Sequence, residues 1–213
     1  MSETTLILAR HGATAANLTR PYRLQGLRPN SKLAETGKRQ AQALGKALAG
    51  FPIVKVYASP LSRARATAEC IAAAHRLPVT IEGGVIEADV GDWTNLSWPD
   101  IEKRWPRECA AFHKAPDRVG YLGGENLNDV RARVLPCIAR LIARHEGEMI
   151  AVVSHGVVNR MLIAGWMNLP LKHSRQIPQD NAAYNVIEFR DGKAKVRTVN
   201  ATAHLLGLLP QAA

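Results

Sequence analysis

The residues most able to do chemistry stand in two short clusters. Ala9-Arg10-His11-Gly12 directly follows the apolar run Thr5-Leu6-Ile7-Leu8, and Ser154-His155-Gly156 directly follows Met149-Ile150-Ala151-Val152-Val153. A buried strand that ends in a His-Gly pair sets an imidazole at the carboxyl edge of a sheet, where open α/β sheets bind their ligands. An imidazole there could be a nucleophile, a base or an anion ligand near neutral pH. Three more groups fall at or near strand ends: Arg10 itself, Arg63 after the β-branched run Ile53-Val54-Lys55-Val56-Tyr57, and Glu87 after Val79-Thr80-Ile81. Two guanidiniums beside two imidazoles make an anion site, because the planar guanidinium fork matches phosphate oxygens. Cations around an imidazole disfavour its protonated form and keep it nucleophilic. Such an imidazole can attack phosphorus in line and form a phosphohistidine. The departing alkoxide then needs a proton, and Glu87 is the nearest candidate to give one and later take one from water. Arginine and histidine supply the charge stabilisation, so the set needs no metal and no cofactor is expected.

These groups meet only if the strands wind into one sheet. Thr36 to Ala49 has helical spacing, with Ala41, Leu44, Ala47 and Leu48 on one side and Thr36 as the expected N-cap. Ser59-Pro60 should open a second helix reaching about His75, with Ser59 as N-cap and Pro60 at the first helical position. The stretch 86–124 is irregular, carries Trp93, Trp98 and Trp105, and is expected to fold as short helices capping the strand ends. A long helix is expected over Glu125–His145, kinked at Pro136, and another over Val157–Trp166. Tyr184–Phe189 and Lys195–Val199 flank Asp191-Gly192 as a hairpin. The expected fold is therefore α/β with a mostly parallel sheet and an antiparallel edge, one domain over 1–213 with a helical cap insert at about 86–124.

The chain has 213 residues and a formal net charge of +10, enough length for one α/β domain with a substantial core. No basic block or aromatic-interleaved ribbon marks a nucleic-acid site, so the excess charge is read as solvated helix surface plus an anion pocket. No apolar run approaches a membrane span and no secretory leader is visible. The three cysteines, Cys70, Cys109 and Cys137, form no CxxC pair, which makes a reducing cytoplasm the default location.

Arg10-His11-Gly12-Ala13-Thr14 with Asn17 resembles the Arg-His-Gly signature of the histidine phosphatase superfamily (branch 1), the phosphoglycerate-mutase-like family. The resemblance continues through Leu24-Gln25-Gly26, Leu33-Ala34-Glu35-Thr36-Gly37, Ser59-Pro60-Leu61-Ser62-Arg63, Glu87 with Gly91-Asp92-Trp93, Gly123-Gly124-Glu125-Asn126 and Val153-Ser154-His155-Gly156. It implies a three-layer α/β/α sandwich and a histidine acid-type phosphatase, a phosphoric monoester hydrolase. His11 would be the phosphorylated nucleophile and Glu87 the general acid and base. Arg10, Arg63 and His155 would hold the phosphoryl oxygens, with Asn17, Gln25 and the Gly156 backbone completing the phosphate and substrate contacts. Asn126 stands where relatives carry serine, and Thr94-Asn95 replace the Glu-Gly that many members have after Trp93. The longer insert of the glycolytic mutases is absent, which favours a phosphatase acting on a small phosphorylated metabolite. The alternatives are a cofactor-dependent phosphoglycerate mutase, set apart by its bisphosphate primer, and a non-catalytic module that binds phosphorylated ligands. Neither nucleic acid nor membrane is an expected partner, and the chain is expected as a monomer or homodimer.

Overall fold

Strand β1 (Thr4–Arg10) is apolar on both faces, the pattern of a strand covered on two sides. The computed structural model describes residues 3–208, and the ends of the expected span, residues 1–2 and 209–213, lie outside them. After β1 come a single turn α1 (Ala15–Leu18), α2 (Glu35–Leu48), β2 (Ile53–Ala58), α3 (Ser62–His75) and the short β3 (Val79–Ile81). Next follow a 3₁₀ turn at Gly91–Trp93, α4 (Trp98–Arg104), α5 (Pro106–Lys114) and α6 (Leu127–Arg144). The chain continues with β4 (Met149–Ser154), α7 (Gly156–Trp166), a 3₁₀ segment Leu171–Gln176, β5 (Tyr184–Arg190) and β6 (Lys193–Ala201).

The strands form one sheet in the order β3-β2-β4-β1-β5-β6. The first four are parallel, and β5 and β6 are antiparallel to their neighbours. Alternation along the strands sends side chains to two cores. Leu6, Leu8, Ile150 and Val152 pack with Val134 and Ile138 of α6 and Leu162 of α7. Ile7, Ala9, Ala151 and Val153 pack with Leu44 and Leu48 of α2 and Ala64, Ala68 and Ile71 of α3. This is the expected three-layer α/β/α sandwich. The helical insert shares the first core through Trp93, Ile101, Cys109, Phe112 and Tyr121. Asp191 and Gly192, both at positive φ, close the β5–β6 hairpin as the Asp-Gly pair predicts.

Three helix starts differ from the expectation. α3 begins at Ser62, not at Ser59-Pro60, because the Ser59 hydroxyl bonds the His155 ring and accepts the Leu61 amide. α2 begins at Glu35 after Ala34, whose amide is held by the Ala13 carbonyl, so Thr36 lies inside the first turn. α6 begins after Asn126, which caps the Asn128 and Asp129 amides while the Asp129 carboxylate takes the Asn126 amide in return. That reciprocal cap leaves Glu125 outside the helix. Pro136 lies inside α6 as expected.

The loop after His11 runs against the start of α2 at a contact only glycine permits. A Cβ on Gly37 would stand 1.9 Å from the Ala13 carbonyl oxygen, and one on Gly12 would stand 2.4 Å from the Gly37 carbonyl oxygen. Gly37→Ala is therefore expected to destabilise the protein by roughly 1–3 kcal/mol or more, as overpacking of rigid backbone does. A urea melt checks this, and an unchanged midpoint would show that the His11 loop yields freely.

Candidate active site

The site starts from register. β1 and β4 are adjacent and parallel, with Arg10 opposite Ser154, so the next residue of each strand is a histidine at the same level. The ring centroids of His11 and His155 lie 5.2 Å apart. β2 flanks β4 on the other side and delivers Ser59 and then α3, whose first turn carries Arg63. Arg63 is 1% exposed, and its Nε donates to His11 Nε2 at 3.3 Å while Nη2 donates to the Gly26 carbonyl at 2.8 Å.

Hydrogen bonds assign the tautomers. His11 Nδ1 lies 2.7 Å from the Gly12 carbonyl, which only accepts, so Nδ1 carries the proton and Nε2 keeps its lone pair. His155 Nε2 lies 2.7 Å from the Ser59 hydroxyl, whose oxygen already accepts the Leu61 amide. With the hydroxyl donating to Nε2, His155 Nδ1 carries the proton and is a donor without a protein partner. Burial, with Arg63 and Arg10 beside it, pushes the His11 imidazole well below its ordinary range, and His155 follows for the same reasons with His11 added. Both rings are neutral, as the cationic surroundings predict. Burial also pulls Arg10 down to about 10, with Arg160 contributing, and lowers Arg63.

Three buried donors here have no protein partner: Arg10 Nε, Arg63 Nη1 and His155 Nδ1. The first two belong to residues that line one cleft together with His11, Asn17, Gln25, Glu87 and Gly156. Buried donors without partners are costly unless something accepts from them, and a tetrahedral oxyanion suits this set. Glu87 is 9% exposed and accepts the Ala88 amide at 2.9 Å and the Val157 amide, in the first turn of α7, at 3.4 Å. A carboxyl so placed can exchange protons with a group bound in the cleft. Asn17 Oδ1 accepts from the Thr14 amide and Asn181, and the Thr14 hydroxyl lies 3.0 Å from Asn17 Oδ1 and 2.9 Å from Gln25 Oε1, with one proton to give to either. A Cβ on Gly156 would lie 3.4 Å from Arg10 Nε, against one of the unpartnered donors.

All eight residues expected from sequence converge: seven line the cleft, and His155 is fully buried against His11. Among other arginines of these loops and helices, Arg23 lines the cleft, Arg20 bonds the Asn17 and Thr19 carbonyls, and Arg28 and Arg65 are exposed. Trp93 is fully buried, whereas Trp98 lines the cleft, stacks with Phe112 and lies tilted against His113.

Several positioning residues were missed. The Gln179 carbonyl takes Arg10 Nη1 at 2.5 Å, and Asn181 Nδ2 donates to the His11 carbonyl at 3.1 Å. The side chains of Gln179, Asn185 and Asn159 bond one another behind them. Nothing in the periodicity of 177–183 marks this. Arg133 reaches the carbonyls of Gly84, Ile86 and Glu87 and pairs with both oxygens of Glu125, which also accepts the Asp89 amide. Burial pushes the Glu125 carboxyl up, but Arg133 and the Asp89 amide pull it further down, so it stays charged. Arg160 also lines the cleft, and its signal was available: it lies one helical turn after Gly156, as Arg63 lies in the first turn after β2.

An α/β sandwich with two neutral histidines and buried arginines at the carboxyl edge of its sheet is a phosphoryl-binding architecture. The chain matches the histidine phosphatase superfamily (branch 1) over residues 6–202 and belongs to it, as a phosphatase. It is 32% identical over 200 residues to phosphoserine phosphatase 1 of Hydrogenobacter thermophilus, covering 94% of this chain and 93% of that one. It is 31% identical to the metal-independent phosphoserine phosphatase of Arabidopsis thaliana, covering 95% of this chain and 83% of that protein. Among solved structures, YhfR of Bacillus stearothermophilus superposes with a TM-score of 0.87 at 32% identity, over 95% of this chain and 99% of that one. Among the described residues no helix is long and apolar enough to cross a membrane.

Two buried neutral histidines have a consequence for stability. Unfolded histidine takes up its proton near pH 6.5, and the folded rings do so only well below it. Between those values the unfolded state binds more protons, so stability falls as pH falls, by about 1.4 kcal/mol per pH unit per histidine. Urea unfolding from pH 7 to 5 should show this loss, and a His11→Asn/His155→Asn double variant should show a visibly flatter dependence. Equal slopes would contradict the neutral assignment.

Proposed function

We propose that this phosphatase is a metal-independent phosphomonoesterase that hydrolyses a small phosphorylated metabolite through a phosphohistidine on His11. The observation that carries the reading is the His11 tautomer fixed by the Gly12 carbonyl, which leaves Nε2 to accept from Arg63 Nε at 3.3 Å in a cleft whose lining residues also carry the unpartnered donors Arg10 Nε and Arg63 Nη1. Arg10 Nε, Arg63 Nη1 and His155 Nδ1 hold the phosphoryl oxygens and stabilise the charge on them during transfer. His11 Nε2 attacks phosphorus and the bond to the alcohol oxygen breaks. Glu87, as general acid, delivers a proton to that oxygen, and the alcohol leaves. Water then attacks the phosphohistidine, Glu87 takes a proton from it, and phosphate departs with His11 restored. Asn17 and Gln25 sit at the edge of the phosphoryl site and orient the ester. The free thiols of Cys70, Cys109 and Cys137 suit a reducing cytoplasm.

The first test is hydrolysis of p-nitrophenyl phosphate with a chelator present. Turnover should persist in the native protein and vanish in His11→Ala, and acid-labile phosphate should appear on the native protein after a quench. Activity retained by His11→Ala would remove His11 from the nucleophile role. A labelled protein that releases phosphate only to a bisphosphate acceptor would make it a mutase. Glu87→Gln should slow esters of aliphatic alcohols by about 10²–10⁴-fold and slow p-nitrophenyl phosphate, whose leaving group needs no proton, much less. Equal slowing of both would take Glu87 out of the acid role.

A further inference from the structure

Beyond the phosphoryl site, most polar side chains that line the cleft are engaged within the protein. Arg23 Nη1 donates to the Asn95 carbonyl at 3.0 Å, and Arg160 Nε to the Ile177 carbonyl at 2.9 Å. The Arg175 guanidinium lies 4.5 Å over the Trp98 ring and bonds His113 Nδ1. The Tyr22 hydroxyl accepts from Trp98 Nε1 at 2.9 Å. Tyr121 is different. It lines the same cleft and is 6% exposed, yet its phenol has no hydrogen-bond partner among the described residues. A buried tyrosine hydroxyl ordinarily finds a partner, because a bond left unmade at low dielectric is costly. The ring is held in place by Phe112, 4.5 Å away between centroids, and by Trp93, edge-on at 5.9 Å. The backbone is held as well: the Tyr121 amide donates to the Glu125 carbonyl at 3.1 Å, and the Tyr121 carbonyl accepts the Gly124 amide at 2.7 Å. This turn is bonded to the segment that follows Glu87. The Asp92 amide donates to the Leu122 carbonyl at 2.8 Å, and the Glu125 amide to the Asp89 carbonyl at 2.9 Å. Tyr121 and Glu87 are thus carried by two segments that are tied together. Burial and the charge of Glu87 push the phenol up, so it keeps its proton and stays a donor.

Resting on the phosphohistidine reading above, we propose that Tyr121 is a further catalytic residue, whose phenol donates a hydrogen bond to the oxygen with which Glu87 exchanges a proton. In the first half-reaction that oxygen belongs to the ester. The bond from phosphorus to it breaks, its electron pair stays on the oxygen, Glu87 delivers the proton, and the Tyr121 bond stabilises the charge as it builds. In the second half-reaction the oxygen belongs to water. Tyr121 donates to one lone pair, Glu87 takes a proton, and the other lone pair forms the bond to phosphorus as the bond to His11 Nε2 breaks. The phenol keeps its own proton throughout, so the proton balance rests on Glu87 alone. A donor fixed by packing needs no reorganisation at the moment of transfer, and the ligand oxygen supplies the partner the free protein lacks.

Tyr121→Phe tests this, because it deletes one oxygen and keeps the ring against Phe112 and Trp93. That oxygen has no partner in the free protein, so the midpoint of a urea melt should not fall. With p-nitrophenyl phosphate, whose leaving group needs no proton, kcat/KM should change by less than about twofold. Loss of the bond to water should lower kcat and KM together by about tenfold and raise the acid-labile phosphate found on the protein at steady state. With p-nitrobenzyl phosphate, whose alkoxide does need a proton, kcat/KM should fall by about tenfold. Unchanged kinetics on both esters overturns the assignment. So does a lowered urea midpoint with both esters slowed alike, which is the result of a purely structural hydroxyl. Native protein that fails to turn over p-nitrophenyl phosphate, or that carries no acid-labile phosphate, overturns the reading beneath the proposal instead.

Discussion

The parallel, in-register pairing of β1 with β4 at the centre of the sheet is the constraint on which the site depends. It sets Arg10 opposite Ser154 and so brings two His-Gly pairs, separated by more than half the chain, to the same edge. A slip of one residue would send one imidazole to the wrong face, because side chains alternate strictly along a strand. The apolar alternation that fills the two cores prevents that slip. Leu6, Leu8, Ile150 and Val152 must face one layer, and Ile7, Ala9, Ala151 and Val153 the other. The placement of the two histidines is in this sense a by-product of core packing.

At that edge the structure accepts an electrostatic cost. Arg10 and Arg63 are buried beside two imidazoles, and both guanidiniums are held below their ordinary range. Burial of like charges is unfavourable unless hydrogen bonds and counter-charges offset it. Backbone carbonyls do part of this: Gly26 takes Arg63 and Gln179 takes Arg10. Glu87 supplies the opposite charge to both. The remainder is left as unpartnered donors facing the cleft. A dianionic ligand would satisfy them. Neutral histidine follows from the same field, which favours a lone pair over another positive charge.

Around the site lies a second tier whose work is positional. Arg133 gathers three carbonyls of the segment that carries Glu87 and ties it to Glu125, which in turn holds the Asp89 amide. The amide network of Asn159, Gln179 and Asn185 fixes the backbone that holds Arg10 and His11. Backbone pairing of Leu24 with Leu96 and Asn95 joins the loop after α1 to the helical insert, so the walls of the cleft are stitched together. Apart from Asn159 Oδ1, which has no partner, the amide groups of this network are bonded, and bonded polar groups hold a side chain to a narrow range of positions.

The sequence by itself determined the strand ends and the residues on them. Apolar runs closing in Arg-His-Gly and Ser-His-Gly, the Asp-Gly hairpin and the helical spacing of α2 are local signals, written in neighbouring residues, and they carried the fold class and five candidate residues, Arg10, His11, Arg63, Glu87 and His155, while Asn17, Gln25 and Gly156 came from the family resemblance. Helix starts were less legible, because capping is decided by competition. Ser59 looked like an N-cap, but the His155 ring claimed its hydroxyl, and Glu125 looked helical, but the reciprocal cap of Asn126 and Asp129 starts α6 after it. The amide network, the second tier around Glu87 and the placement of Arg175 over Trp98 left no trace in periodicity. They join residues far apart in the chain, through contacts whose energies exist only once the sheet has assembled and water has been excluded. Tertiary structure alone decided which arginines of a broadly basic chain face the ligand, because chemical type is a property of the residue and proximity is a property of the fold.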